Sequence, residues 1–170
     1  MNALCRDRLR RSVVWSRRPI GLFALMLVAV ARAHSAPHFE DFTAVTWTQW
    51  QRVLPRPAIV VFSTTYCPTC PQVFNDLAHS VRHAGAAVPL IAVIMDIDGL
   101  ARVERLEHFR LADRLFVFRG NEAALRFSVD PRWRGVTPYV ALFGLRGAPT
   151  LTAGNPDAAQ MRAVLGDLPK

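Results

Sequence analysis

The chain has 170 residues, 51% of them apolar and 20% charged, which excludes a disordered polypeptide and leaves room for one ordinary domain. Its formal charge of +8 points toward nucleic acid, but seven arginines fall within residues 1–33, and residues 34–170 hold only 14 basic against 12 acidic residues. So small a surplus does not build a phosphate-binding face, and no nucleic-acid partner is expected.

Residues 1–19 are arginine-rich with one acid, Asp7, and Ile20 to Ala31 is an unbroken apolar run of 12 residues ending in Ala31-Arg32-Ala33. This is the order of charged region, apolar region and small-x-small cleavage site in a secretory signal. A permanent span needs about 20 apolar residues, so residues 1–33 are expected to be a signal peptide, with an uncleaved anchor as the other reading. Ser16-Arg17-Arg18-Pro19-Ile20 has some likeness to a twin-arginine signal. The expected location is the periplasm, free or tethered. Of three cysteines, Cys5 lies in this segment, so the exported part carries only Cys67 and Cys70. In an oxidising compartment those two are expected to pair.

Phe39 to Phe42 reads as a short strand. Thr46-Trp47-Thr48-Gln49 reads as a capping box with Thr46 as the N-cap, and Val45 and Trp50 as its hydrophobic staple. Trp47, Trp50, Val53 and Leu54 then follow helical spacing until Pro55 and Pro57. Ala58 to Ser63 (AIVVFS) is a β-branched run expected to be buried on both faces. After Cys67-Pro68-Thr69-Cys70, the positions Cys70, Val73, Phe74, Leu77 and Val81 mark one apolar helix face. Pro71 suits the first turn, where its missing N–H costs no bond.

Leu90 to Ile97 is a second buried strand, and Leu100, Val103 and Leu106 suggest a helix. Leu115 to Phe118 is a further strand, and Asn121 caps a helix running through Leu125 and Phe127. After the loop Asp130 to Gly135, Tyr139 to Phe143 is a strand, with a turn at Gly144 to Gly147 and Thr150 to Thr152 as hairpin partner. Asn155-Pro156-Asp157 is read as cap, first-position proline and first-turn acid of a last helix. Met161, Val164, Leu165 and Leu168 face inward on it. Alternating strands and helices, closed by a hairpin and helix, make an α/β domain over residues 39–168 with helices on both faces of the sheet.

A Cys-x-x-Cys between a buried strand and a helix has a chemical consequence. The unpaired N–H groups and dipole of a helix start favour negative charge, so Cys67 is expected to have a lowered thiol pKa and to be the attacking cysteine. Cys70, one turn in and partly covered, resolves the mixed disulfide. A structural disulfide closing so short a loop would stabilise little. Zinc needs about four ligands; a second cysteine pair is missing, and His38, His79, His83 and His108 lack tight spacing. No metal and no cofactor beyond the Cys67–Cys70 disulfide are expected. His79 and His83 are read as surface residues. Trp47, Trp50 and Trp133 are read as packing, with Trp133 also placed to line a groove beside Pro138, and Arg132 and Arg134 are read as solvated.

The stretch IVVFSTTYCPTC before a helix, and Gly135-Val136-Thr137-Pro138-Tyr139 before a strand, resemble the thioredoxin superfamily. The resemblance covers roughly residues 39–168. It implies a thioredoxin-like fold, a central mixed sheet with helices on both faces, and thiol-disulfide oxidoreductase activity. It also implies that Pro138 is a cis-proline against the cysteine pair and that Thr137 presents its backbone to substrate. Tyr66 takes the place usually held by tryptophan and joins Thr137, Pro138 and Trp133 as expected substrate contacts.

Sixty-eight residues separate Cys70 from Pro138, and the extra material around Leu100 to Val129 looks like the βα insertion of TlpA-like and ResA-like exported reductases. That likeness implies periplasmic protein disulfides as substrates, a membrane thiol transporter as electron donor, cytochrome c maturation or copper-site assembly as a destination, and a monomer. Two family carboxylates are replaced: Val61 stands where thioredoxins carry a buried acid, and Val73 where ResA-like proteins carry a glutamate. Proton transfer at Cys70 is then less assisted. The alternative is a copper chaperone similar to SCO proteins, which also have a proline after the second cysteine, as Pro71 is here; they space the cysteines by three residues and add a distant histidine. A redox-inactive peptide-binding module is a third reading.

Overall fold

The computed structural model describes residues 38–166 except 86, 97, 99 and 104. Residues 1–33, expected to be a signal peptide, with Cys5, and Leu168 lie outside the described residues. In chain order the elements are β1 (Phe39–Phe42), α1 (Ala44–Val53), β2 (Ala58–Ser63), α2 (Cys70–His83), β3 (Leu90–Ile94), α3 (Leu100–Val103), a 3-10 helix (Glu107–Leu111), β4 (Arg114–Phe118), α4 (Glu122–Val129), β5 (Tyr139–Phe143), β6 (Thr150–Ala153) and α5 (Ala158–Leu165).

The strands form one sheet in the order β1-β4-β3-β2-β5-β6. The first four in that order are parallel, and β5 and β6 run antiparallel at the other edge. β2 lies inside the sheet, with Val61 opposite Ala92 of β3 and Val140 of β5. All six of its residues are buried, because both sheet faces are covered. Strand alternation sends Ala58, Val60 and Phe62 to the face under α1 and α4. Ile59 and Val61 point to the opposite face, with α2 and α5. This is a thioredoxin-like fold. The expected βα insertion is β4–α4, which lies between α2 and β5 in sequence and places β4 between β1 and β3.

Aromatic rings dominate the first face. Phe42 packs edge-on to Trp50 at 4.9 Å and Phe62 at 5.7 Å, and Trp47 packs edge-on to Phe143 at 5.7 Å. Such pairs add about 0.5–1.5 kcal/mol each beyond the area they bury. The Trp47 indole N–H donates to the Ser128 carbonyl at 3.1 Å, which ties α1 to α4. The second face is mainly aliphatic, with Phe74 and Phe109 among its rings, and contains both cysteines.

Several boundaries differ from the sequence reading. The N-cap of α1 is Thr43, not Thr46. Thr43 accepts from the Thr46 N–H, and the Thr46 hydroxyl accepts from the Thr43 N–H, so a threonine fills the place expected of Gln49. Val45 is 65% exposed and forms no staple. Val53 is exposed while Leu54, the C-cap, is buried. The last helix is capped by Asp157, which exchanges bonds with Gln160; Asn155 instead donates to Asp76 of α2 at 2.7 Å. The helix expected from Leu100 to Leu106 is a single turn followed by the 3-10 helix. β3 ends at Ile94 rather than Ile97, which releases Asp96 from the ladder.

Candidate active site

The antiparallel pairing of Phe62 with Tyr139 decides what meets at the site. It makes the end of β2 and the start of β5 leave the sheet side by side, so the chain entering Cys67 and the chain carrying Pro138 emerge together. A parallel-sheet edge where strands end is the usual place for a site in α/β folds.

Cys67 and Cys70 form a disulfide, with Sγ–Sγ 2.04 Å and Cα atoms 5.5 Å apart. The helix begins at Cys70, with Thr69 as N-cap and Pro71 in the first turn. Cys67 therefore sits in the turn ahead of α2, its N–H donating to the Thr64 carbonyl at 3.2 Å. Cys70, expected to be partly covered, is fully buried, while Cys67 retains 7% exposure. Attack from outside can reach only Cys67. Thr69 makes no side-chain cap bond, so it leaves the first-turn N–H groups of Cys70 and Gln72 to favour negative charge at this end. The Thr69 hydroxyl lies 3.9 Å from Cys67 Sγ.

The surroundings of Cys70 are apolar: Val61, Val73, Phe74 and Leu77 share its cluster. Val61 and Val73, at the two positions where the resemblance leads one to expect acids, are both buried. The chain leading into the pair is held by Asp96. It accepts the Thr65 N–H at 2.8 Å and the Thr65 hydroxyl with its other oxygen. It clamps the turn before Tyr66 rather than the resolving sulfur.

The Thr137–Pro138 bond is cis, as the resemblance implies; Arg56–Pro57 is cis as well. Pro138 is buried, and its carbonyl accepts from the Gly154 N–H at 2.8 Å. The Thr137 and Thr64 hydroxyls are 3.3 Å apart. Tyr66, next to Cys67 in the chain, and Val136, two residues before Pro138, are 72% and 60% exposed. Trp133 is placed differently from the groove-lining position expected. It is buried, stacked on Tyr139 at 4.5 Å, and its N–H donates to the Val136 carbonyl at 2.9 Å. It supports the loop from beneath because its one polar atom is already paired with that loop.

Asp130 is the residue the sequence reading missed most plainly. It is 5% exposed and accepts from the Tyr139 hydroxyl at 2.7 Å and the Arg132 N–H at 2.8 Å. The Tyr139 hydroxyl first, then the Arg132 backbone and side chain, lower its pKa to about 2. Burial and the same bond raise Tyr139 to about 12. Arg132, read as solvated, is exposed but pairs with Asp130 at 3.2 Å. Nothing in the spacing of Asp130 and Tyr139 signals this pair. Asp96 did have a signal: it follows a parallel strand that ends beside β2.

The 3-10 helix packs on α2 beside the pair. His108 is buried against Phe74, with ring centroids 5.4 Å apart, and its Nε2 has no hydrogen-bond partner among the described residues. Burial lowers its pKa. His79 and His83 are exposed neighbours on α2. Among the described residues no group of three or more His, Cys, Asp or Glu side chains could hold a metal ion.

No protein-family model matches the chain, and no curated protein matches it. Solved structures do. A thio-disulfide isomerase from Thermus thermophilus is 19% identical over 66% of this chain and 81% of its own, with a TM-score of 0.45. A secreted disulfide oxidoreductase of Mycobacterium tuberculosis, described as homologous to E. coli DsbE, is 16% identical over 66% and 82%, with a TM-score of 0.47. A thioredoxin-family thiol:disulfide interchange protein from Chlorobium tepidum is 15% identical over 65% and 81%, with a TM-score of 0.49.

Proposed function

We propose that the protein is an exported thiol-disulfide oxidoreductase that reduces disulfides of periplasmic proteins. The observation that carries this is the asymmetric pair: a bonded Cys67–Cys70 at the start of α2, with Cys67 keeping a small exposed fraction and Cys70 none.

In the reduced protein, the Cys67 thiolate attacks one sulfur of a substrate disulfide. A Cys67–substrate mixed disulfide forms, and the first substrate sulfur leaves as a thiolate. Cys70, deprotonated, then attacks Cys67 Sγ, the second substrate sulfur leaves, and the Cys67–Cys70 bond forms. Two electrons pass to the substrate, whose thiolates take up the two protons lost by the cysteines. A dithiol donor, read here as a membrane thiol transporter, resets the pair by the same exchange. The exposed Tyr66 and Val136 supply apolar contacts to substrate, and Thr137 offers backbone groups to an extended substrate segment.

The arginine-rich segment and apolar run of residues 1–33 support export. Turnover tests the reading. With limiting dithiothreitol, the protein should accelerate reduction of insulin's interchain disulfides, and Cys67→Ser should not. No acceleration by the intact protein overturns it.

A further inference from the structure

The loop between α4 and β5 carries Val136, Thr137 and Pro138, and one carboxylate gathers both of its ends. At the near end, the Asp130 backbone caps α4, its N–H donating to the Arg126 carbonyl at 2.9 Å, and its carbonyl accepts the Trp133 N–H at 2.9 Å. Its Oδ1 accepts the Arg132 N–H at 2.8 Å, and the Arg132 guanidinium lies against both oxygens. At the far end, Oδ2 accepts the hydroxyl of Tyr139, the residue after Pro138, at 2.7 Å. Trp133 fills the space between, stacked on Tyr139 and bonded to the Val136 carbonyl.

We propose that Asp130 is a positioning residue for substrate binding: through Tyr139 and Trp133 it holds the Val136–Pro138 edge in register with Cys67. This rests on the oxidoreductase reading. Asp130 touches neither sulfur nor substrate, and its effect passes through the loop. An ionised carboxylate suits the task, because bonds to a charged acceptor are shorter and stronger than neutral ones. A buried carboxylate that lost its donors would be costly, so the arrangement favours one loop geometry over its alternatives. The depressed pKa of Asp130 keeps the clamp ionised throughout the pH range of thiol exchange. The connection to the cysteine side is the Thr64–Thr137 hydroxyl contact, so a loop set by Asp130 is also aligned on the chain entering Cys67.

The test compares wild type, Asp130→Ala, Asp130→Asn and Tyr139→Phe in three readouts: KM and kcat for insulin, the rate with a small aromatic disulfide, and the potential of the Cys67–Cys70 pair. Asp130→Ala should raise KM for insulin roughly five- to twentyfold with kcat little changed, as expected when ground-state and transition-state binding are lost alike. The small disulfide, which needs no extended contact with the loop, should react at the wild-type rate, and the potential should not move. Asp130→Asn, which keeps an acceptor oxygen, should recover most of the affinity. Tyr139→Phe, which keeps the ring stack and loses only the hydroxyl, should repeat the KM effect in weaker form, and it carries the test should Asp130→Ala fail to fold. An unchanged KM in these variants, or equal losses toward insulin and the small disulfide, overturns the proposal and leaves the oxidoreductase reading intact. A wild type inert toward both disulfides overturns both.

Discussion

Thr64 and Thr137, 73 positions apart in the chain, meet hydroxyl to hydroxyl at 3.3 Å. One leads into the cysteine turn and the other precedes the cis-proline, so a side-chain bond joins the two halves of the site where the backbone ladder between β2 and β5 has ended. Replacing either by valine keeps shape and removes the bond. Each single variant should lose about 0.5–1.5 kcal/mol in urea unfolding. The double variant should cost less than the sum, since the second substitution has no bond left to break. Strict additivity would show that the contact contributes nothing.

The unequal exposure of the two cysteines predicts unequal behaviour when each is removed. Cys70→Ser leaves an accessible Cys67 that should accumulate as a mixed disulfide with protein substrates. Cys67→Ser leaves Cys70 sealed at 0% exposure and should trap none. Both should lose catalytic turnover by roughly a thousandfold or more, because the two thiols act as a unit. Non-reducing electrophoresis after alkylation distinguishes them, and equal trapping by the two variants would contradict the assigned roles.

The Asp130–Tyr139 pair predicts where pH acts on stability. Asp130 has a folded pKa of about 2, below its ordinary 3.8, so its contribution is present above about pH 4 and is lost as pH falls toward 2. Tyr139 has a folded pKa of about 12, above its ordinary 10, so its contribution is present below pH 10 and is lost as pH rises through 12. Melting temperature against pH should flatten at the acid end in Asp130→Asn and at the alkaline end in Tyr139→Phe. An acid limb identical in wild type and Asp130→Asn would place the acid sensitivity elsewhere.

His108 predicts a second slope near neutrality. Its pKa is lowered by burial, so its neutral form stabilises the fold above the ordinary value of 6.5, and stability falls as pH drops below it. His108→Leu should remove that slope. Its Nε2 makes no bond among the described residues, so the apolar variant should be neutral or more stable by up to about 1–2 kcal/mol at pH 7. A loss of stability at pH 7 would contradict this and show that the ring makes contacts leucine does not replace.

Much of the fold was legible because its signals are local. AIVVFS can be satisfied only where both faces are covered, and it is the fully buried β2. Asn121 caps α4 as its side chain predicts. The cysteine pair and the cis-proline were legible through motif and resemblance. Thr43 was missed as a cap because two threonines at i and i+3 can each play that part, and only the end of β1 decides between them. Asp157 was missed because Asn155 is an equally good cap until Asp76 of α2 draws its side chain away. The supports of the site were illegible for a further reason. Thr64 with Thr137, and Thr65 with Asp96, are separated by 73 and 31 positions, and only the strand register brings them together. Asp130 and Tyr139 are close in sequence, but a nine-residue spacing matches no helix, strand or turn period.

The reduction potential of the Cys67–Cys70 pair tests the central claim most directly, measured on the purified protein equilibrated against dithiothreitol or glutathione buffers. A dithiol reductase requires a stable disulfide, and the account predicts a reversible two-electron couple at about −250 mV or lower. A potential above about −180 mV, in the range of oxidants and isomerases, would contradict the reductase assignment.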